Sequence, residues 1–577
     1  MNDIRRTILW VVFGMSMVLL WDKWQIHNGQ KPTFFPDPAA VTAKAVNPSA
    51  PVAASSATVP AAGGAAAQAN NGVPSSTALA GKAAAPVLAN SLPVAGNSST
   101  VAVRDPIVIT TDLYKLSFDA EGGSLVRAEL LQQRDIVNKD INMVLLDSSK
   151  DRLYNAQTGL IGTAGLPNHK TAMTLVSTER AMKDGADTLS VRFEAAGGDA
   201  KLAKTYTFKR GSYVIGVTHE VTNTGAAEMS PQLYVQLIRD GNKPAGESSF
   251  YSTFTGPVVY TEAKKYQKVE FTDIEKNKAE FEKLSPAGYV GVVQHYFVSA
   301  WLASESADTT PHENFVRKVD TNLYAAGIIF PMKAIAAGQS QKLATRLYIG
   351  PQEEKNLEAI TPGLELVKDY GYFTILSKPL FWVIDQLHKM IGNWGWAIVA
   401  VVVLLKVVFY WLNAKAYQSM GKMKAINPKI MEMRERLKDS PQQMQQEMMR
   451  IYKEEKVNPM GGCLPIIIQI PVFIALYWVL LSSVEFRGAP WILWIKDLSA
   501  PDPWFILPVL MTLSSLLQTW LNPTPPDPMQ AKMMWIMPLM FSFMFFFFPA
   551  GLVLYWLVNN ILSIAQQWII NKRLGVN

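Results

Sequence analysis

The 577 residues are too many for one ordinary domain, and their 49% apolar content is ordinary only as an average, because apolar residues crowd the last third. The net charge of +7 comes without a basic stripe interleaved with stacking aromatics, which argues against direct nucleic-acid binding. A single cysteine, Cys463, excludes an intramolecular disulfide framework and any multi-cysteine metal site; at the start of an apolar stretch it reads as a small packing residue.

In chain order, Arg5 and Arg6 precede an apolar run at 8–21. The run is as short as a signal-peptide core, yet it ends Leu20-Trp21-Asp22-Lys23-Trp24 instead of in small residues. An uncleaved membrane anchor over 1–24 is expected, its arginines on the cytoplasmic side. Residues 25–104 follow as a linker, and 42–101 is almost wholly Ala, Ser, Pro, Gly, Val and Asn. Such a composition cannot bury enough apolar area to offset its ordering entropy, so a flexible tether is predicted.

From 105 to 350 the pattern is that of strands. Residues 107–111, 114–119, 188–195, 205–209, 213–222, 232–237 and 342–349 alternate apolar with polar, and Gly122-Gly123, Gly197-Gly198 and Gly211-Ser212 supply turns. A large antiparallel all-β sandwich is predicted, on the periplasmic side of the anchor. His219-Glu220 and His312-Glu313 lack metal-ligand spacing, and no nucleophile elbow accompanies them. They are expected on solvated strand faces and turns; no catalytic residue, cofactor or metal is expected.

Within 363–392, the stretch SKPLFWVIDQLHKMIG (377–392) predicts a helix with Pro379 in its first turn and a stop at Gly392. Leu380, Val383, Ile384, Leu387 and Ile391 form one face; Asp385, Gln386, His388 and Lys389 form the other. Such a helix either lies in the membrane interface or packs on the sandwich.

Five long apolar stretches fill 393–577, at 394–412, 463–481, 504–521, 533–549 and 551–570. With the anchor they make a polytopic α-helical membrane protein of six transmembrane helices, with both termini in the cytoplasm. The charges agree with this orientation. Residues 413–462 carry ten Lys and Arg, whereas 482–503 carry only Arg487 and Lys496. The basic part, 414–460, predicts a helical hairpin with a start at Ser440-Pro441 and a stop at Asn458-Pro459. Met444, Met448, Ile451 and Tyr452 make a stripe at helical spacing, and Met420, Met423, Met431 and Met433 line the first helix. The stripe is either a seam between the two helices or adaptable surface for apolar substrates.

Lys406 is the one charged side chain in the five apolar stretches. A buried ammonium in hydrocarbon costs at least a few kcal/mol, so Lys406 either snorkels toward the end of its span or faces a polar cavity. It has polar company. Gln469 lies in the third span, Ser515 and Gln518 in the fourth, Asn559 and Ser563 in the last, and Pro465, Pro471, Pro508 and Pro538 each free a backbone carbonyl. Singly, such residues bond between helices; together they predict a wet, cationic recess opening toward the cytoplasm. No GxxxxGK[ST] motif is present, so ATP is not the expected direct energy source.

Three strings are long and unusual: KMKAINPKIMEMRERLKDSPQQMQQEMMRIYKEEKVNPMGGCLPIIIQIPVF (422–473), DPMQAKMMWIMP (527–538) and FPAGLVLYWLVNNILSIAQQWII (548–570). With the order of anchor, periplasmic sandwich, amphipathic helix and five-span core, they resemble the YidC membrane protein insertases of Gram-negative bacteria. The resemblance implies a hydrophilic groove in the inner leaflet, open to cytoplasm and lipid, through which nascent membrane proteins pass alone or beside the Sec translocon. It implies a supersandwich fold for the periplasmic domain, without catalysis. Ribosomes, the signal recognition particle machinery and membrane lipids are the expected partners of the basic hairpin and the C-terminal tail. Lys406, Gln469, Ser515, Gln518, Asn559 and Ser563 are the expected groove residues. The family pattern has an arginine where this chain has Lys406, a point charge in place of a planar fork. Two other readings stand beside this one. They are a secondary transporter or channel that binds an anion at Lys406, and a tethered glycan-binding or glycan-cleaving protein; repeat symmetry and further intramembrane charges would favour the first.

Overall fold

The computed structural model describes residues 72–74, 106–246, 253–303, 310–437, 440–455, 464–522 and 528–574. The predicted anchor, all but three linker residues, Asn458-Pro459 and Cys463 lie outside the described residues.

Two nine-stranded antiparallel sheets form the first half. One runs in spatial order Ile107–Thr110, Tyr114–Asp119, Ser124–Arg134, Asn142–Ser148, Leu153–Ile161, Gln232–Asp240, Leu323–Pro331, His312–Asp320 and Leu284–Ser285. The other runs Lys265–Lys268, Thr255–Thr261, Tyr289–Gln294, Phe297–Leu302, Ser340–Pro351, Val214–Asn223, Ala200–Lys209, Thr188–Gly197 and Thr174–Leu175. Leu116, Phe118 and Val235 of the first sheet meet Val191, Val217 and Leu347 of the second in one core, all fully buried. This is the β-sandwich expected from alternation.

All seven predicted strands are present. Several others escaped the alternation test for a physical reason. Tyr289–Gln294 and Phe297–Leu302 are buried at every position. Val290, Val292, Phe297 and Trp301 point into the core between the sheets. The intervening Tyr289, Val293, Val298 and Leu302 are covered by Leu357, Leu364 and Val367. A strand covered on both faces shows no period of two.

The expectation of solvated histidines is overturned. His219, His312 and Glu313 are buried, and of the four residues only Glu220 stays partly open, paired with Arg192 (2.9 Å) and Lys342 (3.3 Å). Position 219 falls on the core face of the alternating strand Val214–Asn223, so its imidazole must find partners inside. It meets the Thr158 hydroxyl at 2.9 Å. The fully buried Lys204 ammonium beside it donates to the carbonyls of Thr158 (2.6 Å) and Gly122 (2.7 Å).

Two short helices, α1 (Phe271–Glu275) and α2 (Glu354–Ile360), belong to the sandwich. Helix α3 (Thr374–Ile391) starts before the predicted boundary, which puts Pro379 inside it, and Gly392 closes it with φ 77°. Its predicted apolar face packs within the helical core. Ile384 is buried and Leu380, Val383 and Leu387 are partly buried within the helical core, while Ile375, Trp382 and Met390 form a second, exposed apolar strip.

A bend divides the apolar stretch predicted at 394–412. Helix α4 (Trp394–Val408) ends at Phe409, and α5 (Tyr410–Arg436) leaves at 69°. Phe409, with φ −93° and ψ 10°, holds the hinge in the bridge region. Helix α6 (Pro441–Glu454) begins with its proline at the first position, as predicted. Ile426, Ile430 and Met433 of α5 bury against Ile451 of α6, flanked by Met444, Met448 and Tyr452, so the methionine stripe forms a seam.

Helices α7 (Leu464–Ser482), α8 (Ile506–Leu521), α9 (Pro528–Phe545) and α10 (Ala550–Leu574) follow. By length and composition, Ala550–Arg573 can cross a membrane by itself, and the bent α4–α5 pair passes as a unit. Gln469–Ser482, Ile506–Leu521 and Ala531–Phe545 are shorter apolar helices.

The sandwich meets the helices at a polar joint. Lys139 pairs with Asp497 at 2.5 Å, and Arg487 donates to the carbonyl of Arg134 at 2.7 Å while lying 5.1 Å from the rings of Tyr296 and Phe297. His295 meets the Leu481 carbonyl at 3.1 Å, and Lys368 binds both oxygens of Glu485 at 3.0 Å.

Candidate functional site

Helical periodicity builds the site. Val402, Leu405, Lys406 and Phe409 share one face of α4 because they fall at i, i+3, i+4 and i+7. On α10, Tyr555, Asn559 and Ser563 recur every fourth residue. The α4 face and Tyr555 and Asn559, with Asn413 of α5 and Gln469 and Val472 of α7, line a narrow, partly open recess of about 30 Å³.

The Lys406 ammonium donates to the Ser563 hydroxyl at 2.6 Å, and that hydroxyl donates in turn to the carbonyl of Asn559 at 2.7 Å. Tyr417 stands beside Ser563. Across the recess the Gln469 carboxamide donates to the Asn559 side-chain oxygen at 2.5 Å, with Tyr555 beside Gln469. An ammonium has three donors. Among the described residues Ser563 is its one hydrogen-bond partner and no carboxylate pairs with it. The site therefore holds an uncompensated positive charge, solvated by neutral dipoles, which is chemically suited to attract an anionic group.

Lys406 also lines a shallow trough on the outer surface with Val403, Val407, Tyr410, Leu562 and Gln566. It stands in the wall between an internal recess, where Asn413, Gln469 and Asn559 interrupt an apolar lining, and an exposed apolar flank on which Val407 and Trp411 are more than half exposed. Lys406 does not reach away toward bulk solvent past the helix end, because its nitrogen is held sideways against α10.

Of the six residues picked out by sequence, Lys406, Gln469, Asn559 and Ser563 come together. Ser515 does not join them. It accepts from Asn560 at 2.9 Å in a separate contact between α8 and α10, shared with Ser514 at 3.2 Å. Gln518, half-buried further along α8, lies outside the recess lining. Gln567 likewise ties α10 to the end of α8 through Asn522 at 3.0 Å. Sequence reasoning missed Tyr555 and Asn413. Tyr555 precedes Asn559 by one helical turn and Asn413 follows Lys406 at i+7 on the same helical face, and both spacings were usable signals.

Comparison with known proteins agrees with this division of the chain. The family model of the YidC periplasmic domain matches residues 106–383, and that of the 60Kd inner membrane protein matches 386–576. The chain is similar to the membrane protein insertase YidC of Ralstonia nicotianae, 52% identical over 578 residues that cover 100% of this chain and 99% of that one. It is 53% identical over 574 residues to the YidC insertase of Cupriavidus metallidurans, covering 99% and 98% of the two chains. A solved structure of an active YidC insertase with its first transmembrane domain resolved covers 81% of this chain and 92% of its own, at 19% identity and a TM-score of 0.37. Matched along its whole length by relatives at about half identity, the chain belongs to the YidC family of membrane protein insertases.

Proposed function

We propose that this chain is a non-enzymatic insertase that moves nascent membrane proteins into the bacterial inner membrane through the recess at Lys406. The observation that carries the reading is the lone ammonium, with Asn413, Gln469 and Asn559 around it, in the wall between an internal recess and an apolar flank. A polar tail or short loop of the substrate enters the recess, where Lys406, Gln469 and Asn559 replace part of its hydration. Its apolar segment meanwhile slides along the outer faces of α7 and α9 into lipid. That partitioning, worth about 25 cal/mol per Å² of apolar area buried, supplies the drive, and the membrane potential assists acidic tails.

The same reading holds that α4 with the start of α5, α7, α8, α9 and α10 are five spans and that the N-terminal anchor is a sixth. Both termini and the α5–α6 hairpin are then cytoplasmic and the sandwich is periplasmic, with α3 lying in the interface on its exposed strip of Ile375, Trp382 and Met390. The hairpin charges dock ribosomes or the signal recognition particle machinery, and the core works alone or beside the Sec translocon. These partners rest on family membership and on the charge distribution.

The experiment replaces Lys406 with Ala and with Arg and scores insertion of a small Sec-independent substrate with an acidic tail. Two unit charges about 4 Å apart attract by about 4 kcal/mol at an effective dielectric of 20, and desolvation offsets part of this. Lys406→Ala is expected to slow insertion at least tenfold, about 1.4 kcal/mol, and Lys406→Arg to preserve it. Full activity of the alanine variant on acidic-tailed substrates would remove the charge from the mechanism.

A further inference from the structure

The three described residues of the linker are packed on the sandwich. Gly72 and Pro74 are buried, and Val73 is half-buried. The Gly72 carbonyl accepts two hydrogen bonds, from the Arg317 guanidinium at 2.8 Å and from the Gln236 carboxamide at 3.1 Å. Val73 packs into an apolar floor made by Tyr234, Phe315 and Ile329 with Val319 beside them. Gly72 has φ +73°, and a Cβ there would stand 3.3 Å from His169 Nε2. His169 is itself fixed by Tyr234, whose hydroxyl lies 2.5 Å from Nδ1.

Each feature selects something about the bound segment. The positive φ and the nearby imidazole demand glycine. The forked pair of donors recognises a main-chain carbonyl, which carries no side-chain information. The floor admits an aliphatic side chain. Proline at the next position brings no N–H, so its burial leaves no main-chain donor unmet. The groove is also poorly suited to standing empty. Gln236 is wholly buried, and its Oε1 and the Arg317 Nε already lack partners among the described residues. Withdrawing Gly72 would strip the Arg317 guanidinium of this acceptor and leave the Gln236 amide with Gln157 alone (3.0 Å).

We propose that this groove on the first sheet is a peptide-docking site for a glycine–aliphatic–proline segment, and that its resident ligand is the chain's own Gly72-Val73-Pro74. The clasp fastens the linker to the sandwich more than thirty residues before its first strand, Ile107–Thr110. The connection from the membrane anchor to the periplasmic domain is correspondingly shorter than the whole of 25–104. The proposal stands independently of the insertase reading.

The test uses the full-length protein with Cys463→Ser and two introduced cysteines. Val73→Cys with Val319→Cys should form a disulfide on mild oxidation at least tenfold faster than Val73→Cys with Ser190→Cys, an exposed site on the other sheet. Adding Gly72→Val, which leaves the sandwich sequence untouched, should slow the first pair at least tenfold. Arg317→Ala with Gln236→Ala should do the same while the melting curve still reports a folded sandwich. Equal rates for the two cysteine pairs, or a rate indifferent to Gly72→Val, would overturn the clasp.

Discussion

Lys368 lies between the sandwich and α3 with its side chain fully buried, and its ammonium stands 3.0 Å from both carboxylate oxygens of Glu485 and 3.8 Å above the Phe381 ring. Burial lowers its pKa and Glu485 pulls it back up. Glu485, in the short turn Val484–Phe486 after α7, keeps 19% of its side chain exposed. The two partners are therefore unequal. Glu485→Gln strands a buried ammonium and should cost about 3–5 kcal/mol. Lys368→Met strands a carboxylate that water still reaches, and should cost about 1–3 kcal/mol. The double variant should lose at least about 1.5 kcal/mol less than the sum of the two singles. At about 2.1 cal/mol/K per residue, 577 residues melting together shift by about 1 °C for each kcal/mol, readable by tryptophan fluorescence in detergent. Additive losses, or a milder effect from Glu485→Gln than from Lys368→Met, would refute the assignment of this pair as a buried electrostatic bond between the two halves.

Burial holds His295 and His312 down at about 4. Between that value and the ordinary 6.5 the unfolded chain binds more protons, so stability must fall as pH drops through this window, by about 2 kcal/mol per histidine at pH 5 relative to pH 8. Urea titrations at the two pH values check the sign, and a sandwich more stable at pH 5 would contradict neutral, buried histidines. Gly395 of α4 lies under Trp491, and a Cβ there would come within 2.3 Å of the indole. Gly395→Ala should displace that indole and break its edge contact with Trp396 (5.6 Å), costing about 1–3 kcal/mol and shifting the fluorescence maximum.

Apolar runs and polar–apolar alternation made the helices and the outer strands readable, because in both cases one physical choice, burial of a face, dictates residue type. Strands such as Tyr289–Gln294 were unreadable for the complementary reason: covered on both faces, they lose the period. His219 was misjudged because a polar residue on a strand reads as solvated until its partners, Thr158 on another strand and Lys204 on the next, are brought beside it by the register. Lys406 was legible as an anomaly of membrane energetics, and Gln469, Asn559 and Ser563 as polar interruptions of apolar runs. What could not be read was which interruptions face each other. Ser515 and Asn560 satisfy one another across α8 and α10, whereas Ser563, one turn along from Asn559, turns to Lys406. That choice depends on helix rotation and on the bend at Phe409.

The most direct measurement keeps Lys406 and places a photoreactive residue at Gln469 or at Asn413, with a third at Trp520 on the outer face of α8 (68% exposed), in ribosome-stalled insertion reactions. The account predicts adducts from 469 and 413 to the polar tail of the nascent chain, lost when Lys406→Ala is added or when the tail's acidic residues are neutralised, and none from 520. Adducts to the tail from Trp520 and none from the recess would contradict it.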